Sequence, residues 1–224
     1  MNAIVTGANR GIGLELVRQL VARGVMVEAA CRRPADAKEL QTTGARVHAV
    51  DVSDGASVAA FARALSDRPI DLLINNAGVY GNPRQRLQDF DYRSAAQSFE
   101  INALGALRMS QAFLPHLRRG TGKKLVHVSS AMGGIAGTTS PGDLAYRMSK
   151  SALNLMSKSI ALELHDDHIV SVVVHPGWVR TDMGGPNAPL TPAEAARGIL
   201  TQIEALQLVH SGEFIDHKGA RVAW

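Results

Sequence analysis

Six short runs of aliphatic and β-branched residues, at 3–5, 25–29, 46–50, 70–74, 124–129 and 169–174, alternate with helical apolar patterns over 11–22, 36–42, 55–65, 94–117, 145–164 and 192–205. Strands that run the same way need a connection long enough to return along a sheet face, and helices of this length supply it. Right-handed crossovers then place helices on both faces, so the pattern predicts an α/β fold built on one doubly wound parallel sheet. A further short strand is predicted at 213–216. Only ten residues are Phe, Trp or Tyr while 21 are Gly, so the core must be filled by Val, Ile, Leu and Ala, as suits a sheet covered on both sides. No Pro/Gly/Ser-rich linker, composition shift or internal repeat divides the chain, which reads as a single domain over 1–224.

Other classes are disfavoured. No stretch reaches the eighteen or so apolar residues of a membrane span. The net charge of +4 is too small to suggest a nucleic acid. The densest basic patch, Arg118, Arg119, Lys123 and Lys124, lacks interleaved aromatics and reads as a solvated loop. Cys31 has no partner for a disulfide, and the first strand pattern begins at Asn2, so a cytoplasmic location is expected. His165 and His168 have no accompanying ligand cluster, and no metal site is expected.

The first strand runs directly into Thr6-Gly7-Ala8-Asn9-Arg10-Gly11-Ile12-Gly13 and then into an amphipathic helix. A tight strand-to-helix turn needs backbone conformations that glycine adopts cheaply, and a pyrophosphate approaches a helix N-terminus only where no Cβ intervenes. Gly7, Asn9, Arg10, Gly11, Ile12 and Gly13 are therefore candidate cofactor contacts in a Rossmann-like fold. No Gly-Lys-Ser/Thr follows, which excludes a Walker-type site. Tyr146 and Lys150 lie four apart on one helix, so an ammonium can stand near a phenol and lower the cost of phenolate. Ser130 closes a strand at its carboxyl end, where open α/β sheets bind ligands, and can hydrogen-bond a carbonyl oxygen. After the second strand, no carboxylate is placed for ribose hydroxyls, while Arg32 offers a guanidinium suited to a 2′-phosphate and Arg10 a second. Glu28 lies too early in that strand to replace the missing acid.

The Thr-Gly-x-x-x-Gly-x-Gly spacing, Asn75-Asn76-Ala77-Gly78, Asn102, Ser130, and the Tyr146/Lys150 pair resemble, in this order, the short-chain dehydrogenase/reductase family. Ala145-Tyr146-Arg147-Met148-Ser149-Lys150 and the segment from His175-Pro176-Gly177-Trp178 to Gly185 are similar to its C-factor and sniffer-type carbonyl reductase branch. The resemblance implies an oxidoreductase reducing a ketone, aldehyde or quinone with NADP(H) favoured over NAD(H), Tyr146 acting as general acid/base, Ser130 orienting the carbonyl and Lys150 assisting. It implies that Asn102 holds a water in a proton relay. Asn75 would stitch the central strands, and Ser129 would point away from the site. Asp51 and Val52 would contact adenine, Asn76, Ala77 and Gly78 would continue the cofactor site, and Pro176, Gly177, Val179 and Thr181 would hold the nicotinamide. Residues 183–190 would form a short substrate lid, with Val79, Met132, Ile135, Trp178 and Met183 as an apolar wall. A regulatory or intercellular-signal protein that binds a nucleotide is the alternative. A homodimer or homotetramer is expected from the apolar surface of the 94–117 and 145–164 helices.

Overall fold

A computed structural model describes residues 1–83 and 85–224. Its sheet contains β1 (Asn2–Thr6), β2 (Met26–Cys31), β3 (Arg46–Ala49), β4 (Leu72–Asn75), β5 (Lys124–Val128), β6 (Val170–His175) and β7 (Phe214–Asp216). They are ordered β3-β2-β1-β4-β5-β6-β7, and every pairing is parallel. The order reverses between β1 and β4, whose register pairs Ala3 with Leu72 and Val5 with Ile74. This is the doubly wound, Rossmann-like sheet that the strand–helix alternation predicts.

Helices α1 (Gly11–Ala22), α2 (Lys38–Gln41), α3 (Gly55–Ala64), α4 (Tyr92–Phe99), α5 (Gly105–Arg119), α6 (Leu144–Glu163) and α7 (Pro192–Ala205) cover the sheet. On one face Leu16, Val17 and Leu20 of α1 and Ile199, Leu200 and Ile203 of α7 pack on Val5, Ala29, Val126 and Val172. On the other, Phe61 of α3 and Met109, Phe113 and Leu117 of α5 pack on Ile4, Leu73 and Leu125. Residues i and i+1 of each strand thus serve different cores, which is why the strands read as continuous apolar runs.

Three expectations are corrected. The 94–117 helix begins earlier, at Tyr92, where Asp91 accepts hydrogen bonds from the Arg93 and Ser94 N–H groups, and it is interrupted by a π turn at Glu100–Leu104. The extra residue leaves the apolar periodicity nearly intact, so the sequence pattern does not register it. The 36–42 helix shrinks to α2 after a 3₁₀ turn at Pro34–Asp36. The basic patch is exposed at Arg118 and Arg119, as expected, but its side chains are tied down rather than free. Arg118 pairs with Asp167 at 2.8 Å, Lys123 donates to the Asp167 carbonyl and Lys124 to the Ile203 carbonyl.

Glu28 lies on β2, between β1 and the edge strand β3. Its buried carboxylate meets His48 at 2.6 Å, Arg46 at 3.1 Å and Arg68. Burial pushes the carboxyl up, but the hydrogen bonds from His48 and Arg46 and the charge of Arg68 outweigh it and hold it below the usual carboxylate range. A carboxyl lowered on folding adds stability above its unfolded pKa and loses it as pH falls through the folded value. Glu28→Gln is expected to cost about 1–3 kcal/mol at neutral pH, the partial exposure of Arg46 and Arg68 reducing the value of a fully buried pair. Urea unfolding checks this, and the difference from the parent protein should shrink toward strongly acidic pH.

Candidate active site

The chain ends of β1 and β4 meet without room between them. Gly7 and Gly11 lie at φ +64° and +55°, and a Cβ on Gly7 would stand 2.8 Å from Ala77 Cα. A Cβ on Gly13 would fall 2.3 Å from the Gly7 carbonyl oxygen and 2.5 Å from Asn76 Nδ2. Thr6 Oγ1 accepts hydrogen bonds from the Asn76 and Ala77 N–H groups, both at 3.0 Å, while Asn76 Nδ2 donates to the Thr6 carbonyl at 2.9 Å. The glycines are thus required by strand-to-strand and helix-to-strand approach as well as by the turn.

Above this junction lies a cleft of about 420 Å³. Gly7, Asn9, Arg10, Gly11, Ile12 and Gly13 line it from the turn, as do Arg32, Asp51 and Val52 after the neighbouring strands. Asn76, Ala77, Gly78, Tyr146, Lys150, Pro176 and Thr181 complete the candidates that reach it. Asn102, Ser130, Gly177 and Val179 do not, and Ser129, expected to point away, is among the lining residues in place of Ser130. Gly177 faces Leu190 and His217, and buried Val179 forms a bridge with Leu190 at the root of the 183–190 segment. Of the two arginines expected at the cleft both line it, Arg32 near Asp51 and Arg10 in an ion pair with Asp182, while neighbouring Arg33 pairs with Asp36. Among the lining residues, Cys31, Val128, Arg180 and Asp182 were not candidates.

Tyr146 and Lys150 point the same way from α6, as their spacing predicts. Tyr146 is buried, with its ring centroid 5.8 Å from Lys150 Nζ, and Lys150 donates to the Val128 carbonyl at 3.0 Å. Burial raises the phenol well above its ordinary value, opposed by the Ser130 hydroxyl and reinforced by Tyr80. Burial also lowers the Lys150 ammonium to about 8. Desolvation therefore opposes charge on both groups in the ligand-free protein. Ser130 Oγ accepts from the Met132 N–H at 3.1 Å, whereas Ser129 turns into the core and bonds Asn154 at 2.7 Å. Asn75 donates toward the Ala106 carbonyl, Ser110 Oγ and His127 Nδ1, stitching β4 to β5 and α5.

Asn102 sits inside the π turn, and its amide makes three hydrogen bonds to protein. Oδ1 accepts from the Val79 N–H at 2.8 Å, and Nδ2 donates to the Val79 carbonyl at 2.8 Å and Ser149 Oγ at 2.9 Å. Its side chain thus joins the Val79 loop to Ser149 of α6. Two further residues are absent from the sequence-derived set. His175 Nδ1 accepts from the Ala131 N–H at 3.2 Å and so tethers the segment after Ser130, with burial favouring its neutral form. Tyr80 stacks on Tyr146 with centroids 4.4 Å apart. Its position two residues after Asn-Asn-Ala-Gly, in a chain with only three tyrosines, is the signal by which the sequence could have found it.

A second cavity of about 380 Å³ adjoins the first, bounded by Tyr80, Gly81, Pro83, Asp143, Asp182 and Met183. Of the expected apolar wall, only Met183 borders it. Ile135 is exposed, and Trp178 donates from its indole N–H to the Gly184 carbonyl at 2.8 Å, bracing the segment beneath. Among the described residues no helix is long and apolar enough to cross a membrane.

The chain belongs to the short chain dehydrogenase family, whose model matches residues 1–189. The C-signal protein of Myxococcus xanthus is 48% identical over 165 residues, which cover 74% of this chain and 99% of that protein. The NADPH-bound carbonyl reductase from chicken fatty liver superimposes with a TM-score of 0.93 at 32% identity, covering 100% of this chain and 98% of that one. The carbonyl reductase Sniffer of Drosophila melanogaster gives 0.94 at 30% identity, with 100% and 99% covered.

The folded value for Lys150 lies below that of a free lysine, so the unfolded chain binds the extra proton between about pH 8 and 10.5. The penalty this site imposes on folding is fully present below that window and relaxes as pH rises through it. Lys150→Met is expected to raise the unfolding free energy at neutral pH by on the order of 2–3 kcal/mol, with the gain fading at alkaline pH. Urea titrations at neutral and alkaline pH check both the sign and the window.

Proposed function

We propose that the protein is an NADP(H)-dependent carbonyl reductase, working as one dinucleotide-binding and catalytic domain in the cytoplasm. The observation that carries this reading is that Tyr146 and Lys150 of α6 line the cleft above the glycine turn, with the Ser130 hydroxyl, just after β5, hydrogen-bonded to the Tyr146 phenol. The residues fit the cofactor: the turn has no Cβ at Gly7, Gly11 or Gly13, backbone N–H groups open toward the cleft at the start of α1, and Arg32 borders it where a 2′-phosphate needs a cation. Gly7, Asn9, Gly11, Ile12 and Gly13 would hold the pyrophosphate, Asp51 and Val52 the adenine, and Asn76, Ala77, Gly78, Pro176 and Thr181 the remainder. Gly177 and Val179 would act by shaping the Pro176–Thr181 backbone.

When bound, NADPH supplies the hydride for the carbonyl carbon. Ser130 and Tyr146 hold the carbonyl oxygen, and Tyr146 gives its phenolic proton to that oxygen as charge develops there. Burial that keeps the phenol protonated at neutral pH suits this direction of reaction. The nearby Lys150 cation then stabilises the phenolate that remains. Asn102 holds the Val79 loop and α6 in register rather than touching the reacting atoms. The substrate class is a ketone, aldehyde or quinone. Exposed Met148, Leu155 and Leu162, seven residues apart on α6, with Leu104 and Leu107, support assembly as a homodimer or homotetramer.

The identity to the C-signal protein favours a second reading, a regulatory or intercellular-signal role that accompanies or replaces catalysis. Tyr146→Phe separates the two. It is expected to lower NADPH oxidation with a panel of ketones, aldehydes and quinones by on the order of 10²-fold or more while NADPH still binds. Undiminished turnover would refute the assignment of the proton donor, and a cellular role that persists in this variant would place the signal outside catalysis. Arg32→Ala is expected to weaken NADPH binding by roughly 10–100-fold and leave NADH nearly unchanged. Parallel fluorescence titrations check it, and equal losses for both cofactors would contradict the 2′-phosphate contact.

A further inference from the structure

The face of Tyr146 is covered by another tyrosine. Tyr80 lies over it at 4.4 Å between centroids and 25° between planes, and its hydroxyl reaches 4.0 Å from Met132 Sδ, two residues beyond Ser130. This stack is not a chance meeting of two side chains, because the segments that carry them are bound together. Val79, next to Tyr80, has both its N–H and its carbonyl bonded to the Asn102 amide. Asn102 Nδ2 also donates to Ser149 Oγ, which in turn donates to the Tyr146 carbonyl at 2.8 Å. The chain of bonds closes from the loop after β4, through the π turn, to the first turns of α6.

We propose that Tyr80 is a positioning residue: held by the Asn102 clamp, it keeps water from one face of the Tyr146 phenol and fixes that ring beside Ser130. The proposal deepens the proton-donor reading of Tyr146 and rests on it for its role in turnover. An aromatic ring excludes solvent over a large area while its two side-chain torsions cost little to order, so a stacked tyrosine suits this task better than a flexible aliphatic group. Removing the cover should let water reach the phenol and bring its ionisation closer to that of a free tyrosine. The direction agrees with the raised phenol, which owes most to burial, with Tyr80 adding to the rise.

Among the described residues, the charged and titratable groups that act on the phenol are Lys150 on α6 and Tyr80 on the loop after β4, with Ser130 as a neutral hydrogen-bond partner. The chain has three tyrosines, and Tyr92 is exposed, so phenolate absorbance can follow Tyr146 directly. Tyr80→Phe and Tyr80→Ala each leave only Tyr92 and Tyr146 to titrate. In the full chain without cofactor, the phenylalanine variant is expected to have released less phenolate than the alanine variant at about pH 11, a unit above a free phenol. The Tyr146 titration in the alanine variant should lie at least about half a pH unit below that in the phenylalanine variant, a difference of roughly threefold in ionisation constant. Coincident curves, with both variants native by far-ultraviolet circular dichroism, overturn the inference. If the alanine variant does not keep the native spectrum, Tyr80→Val takes its place. The comparison is then made in the milder range where NADPH reduces menadione: an alkaline limb lower in the valine variant than in the phenylalanine variant supports the proposal, and equal limbs overturn it. The absorbance titration needs no turnover, so it can fail while the Tyr146→Phe result stands, and the reverse.

Discussion

The close approach of β1 to β4 governs the rest of the molecule. The sheet changes direction of growth at this pair, and the gap that opens above it is where a ligand can enter. The two strand ends meet through Thr6, Gly7 and Gly13 on one side and Asn76 and Ala77 on the other, at distances that exclude a Cβ from either glycine. Because Thr6 and Asn76 bond each other's backbones, the turn into α1 and the loop after β4 are parts of one rigid unit. The loop's next residues, Val79 and Tyr80, inherit that rigidity through Asn102.

Burial opposes charge on the titratable groups nearest the candidate proton donor. Lys150 and Tyr146 are buried where charge is opposed, and His127 on β5, fully enclosed and near the Lys150 charge, is lowered to about 3. Buried hydrogen bonds fix the side chains around them: Lys150 to the Val128 carbonyl, Asn75 to His127, and Ser129 to Asn154. The arrangement favours a site that is ordered before any ligand arrives, and it places a polar layer between two apolar cores that would otherwise need only aliphatic contacts.

The outer parts of the cleft are looser in character. Arg10 and Asp182 face each other across it, both largely in solvent, so their ion pair is weak and can yield to an anionic ligand at little cost. The 183–190 segment is braced at its root by the Val179 bridge and by the Trp178 indole, while Met183 and Asp182 stand toward the cavities. Rigid machinery near Tyr146 thus grades into contacts that a substrate can displace.

The order of strands and helices, the two-sided burial of the sheet and the identity of the glycine turn were legible because they depend on periodicity and on glycine's lack of a Cβ, which act locally. Tyr146 and Lys150 were legible for the same reason: four residues along a helix set their common direction. Asn102, Ser130 and Arg32 could be named from motif and strand ends, but what they touch could not. The π turn adds one residue without disturbing the apolar stripe, so only packing around Gly105 and Val52 and the bonds to Val79 and Ser149 reveal it. Arg10 meeting Asp182, Glu28 meeting Arg68, and Tyr80 lying on Tyr146 join residues separated by long stretches of chain. The sequence by itself determined which elements form and which groups have the right chemistry. The tertiary structure decided which of those groups meet, because contact between distant segments follows from how the sheet closes and not from spacing along the chain.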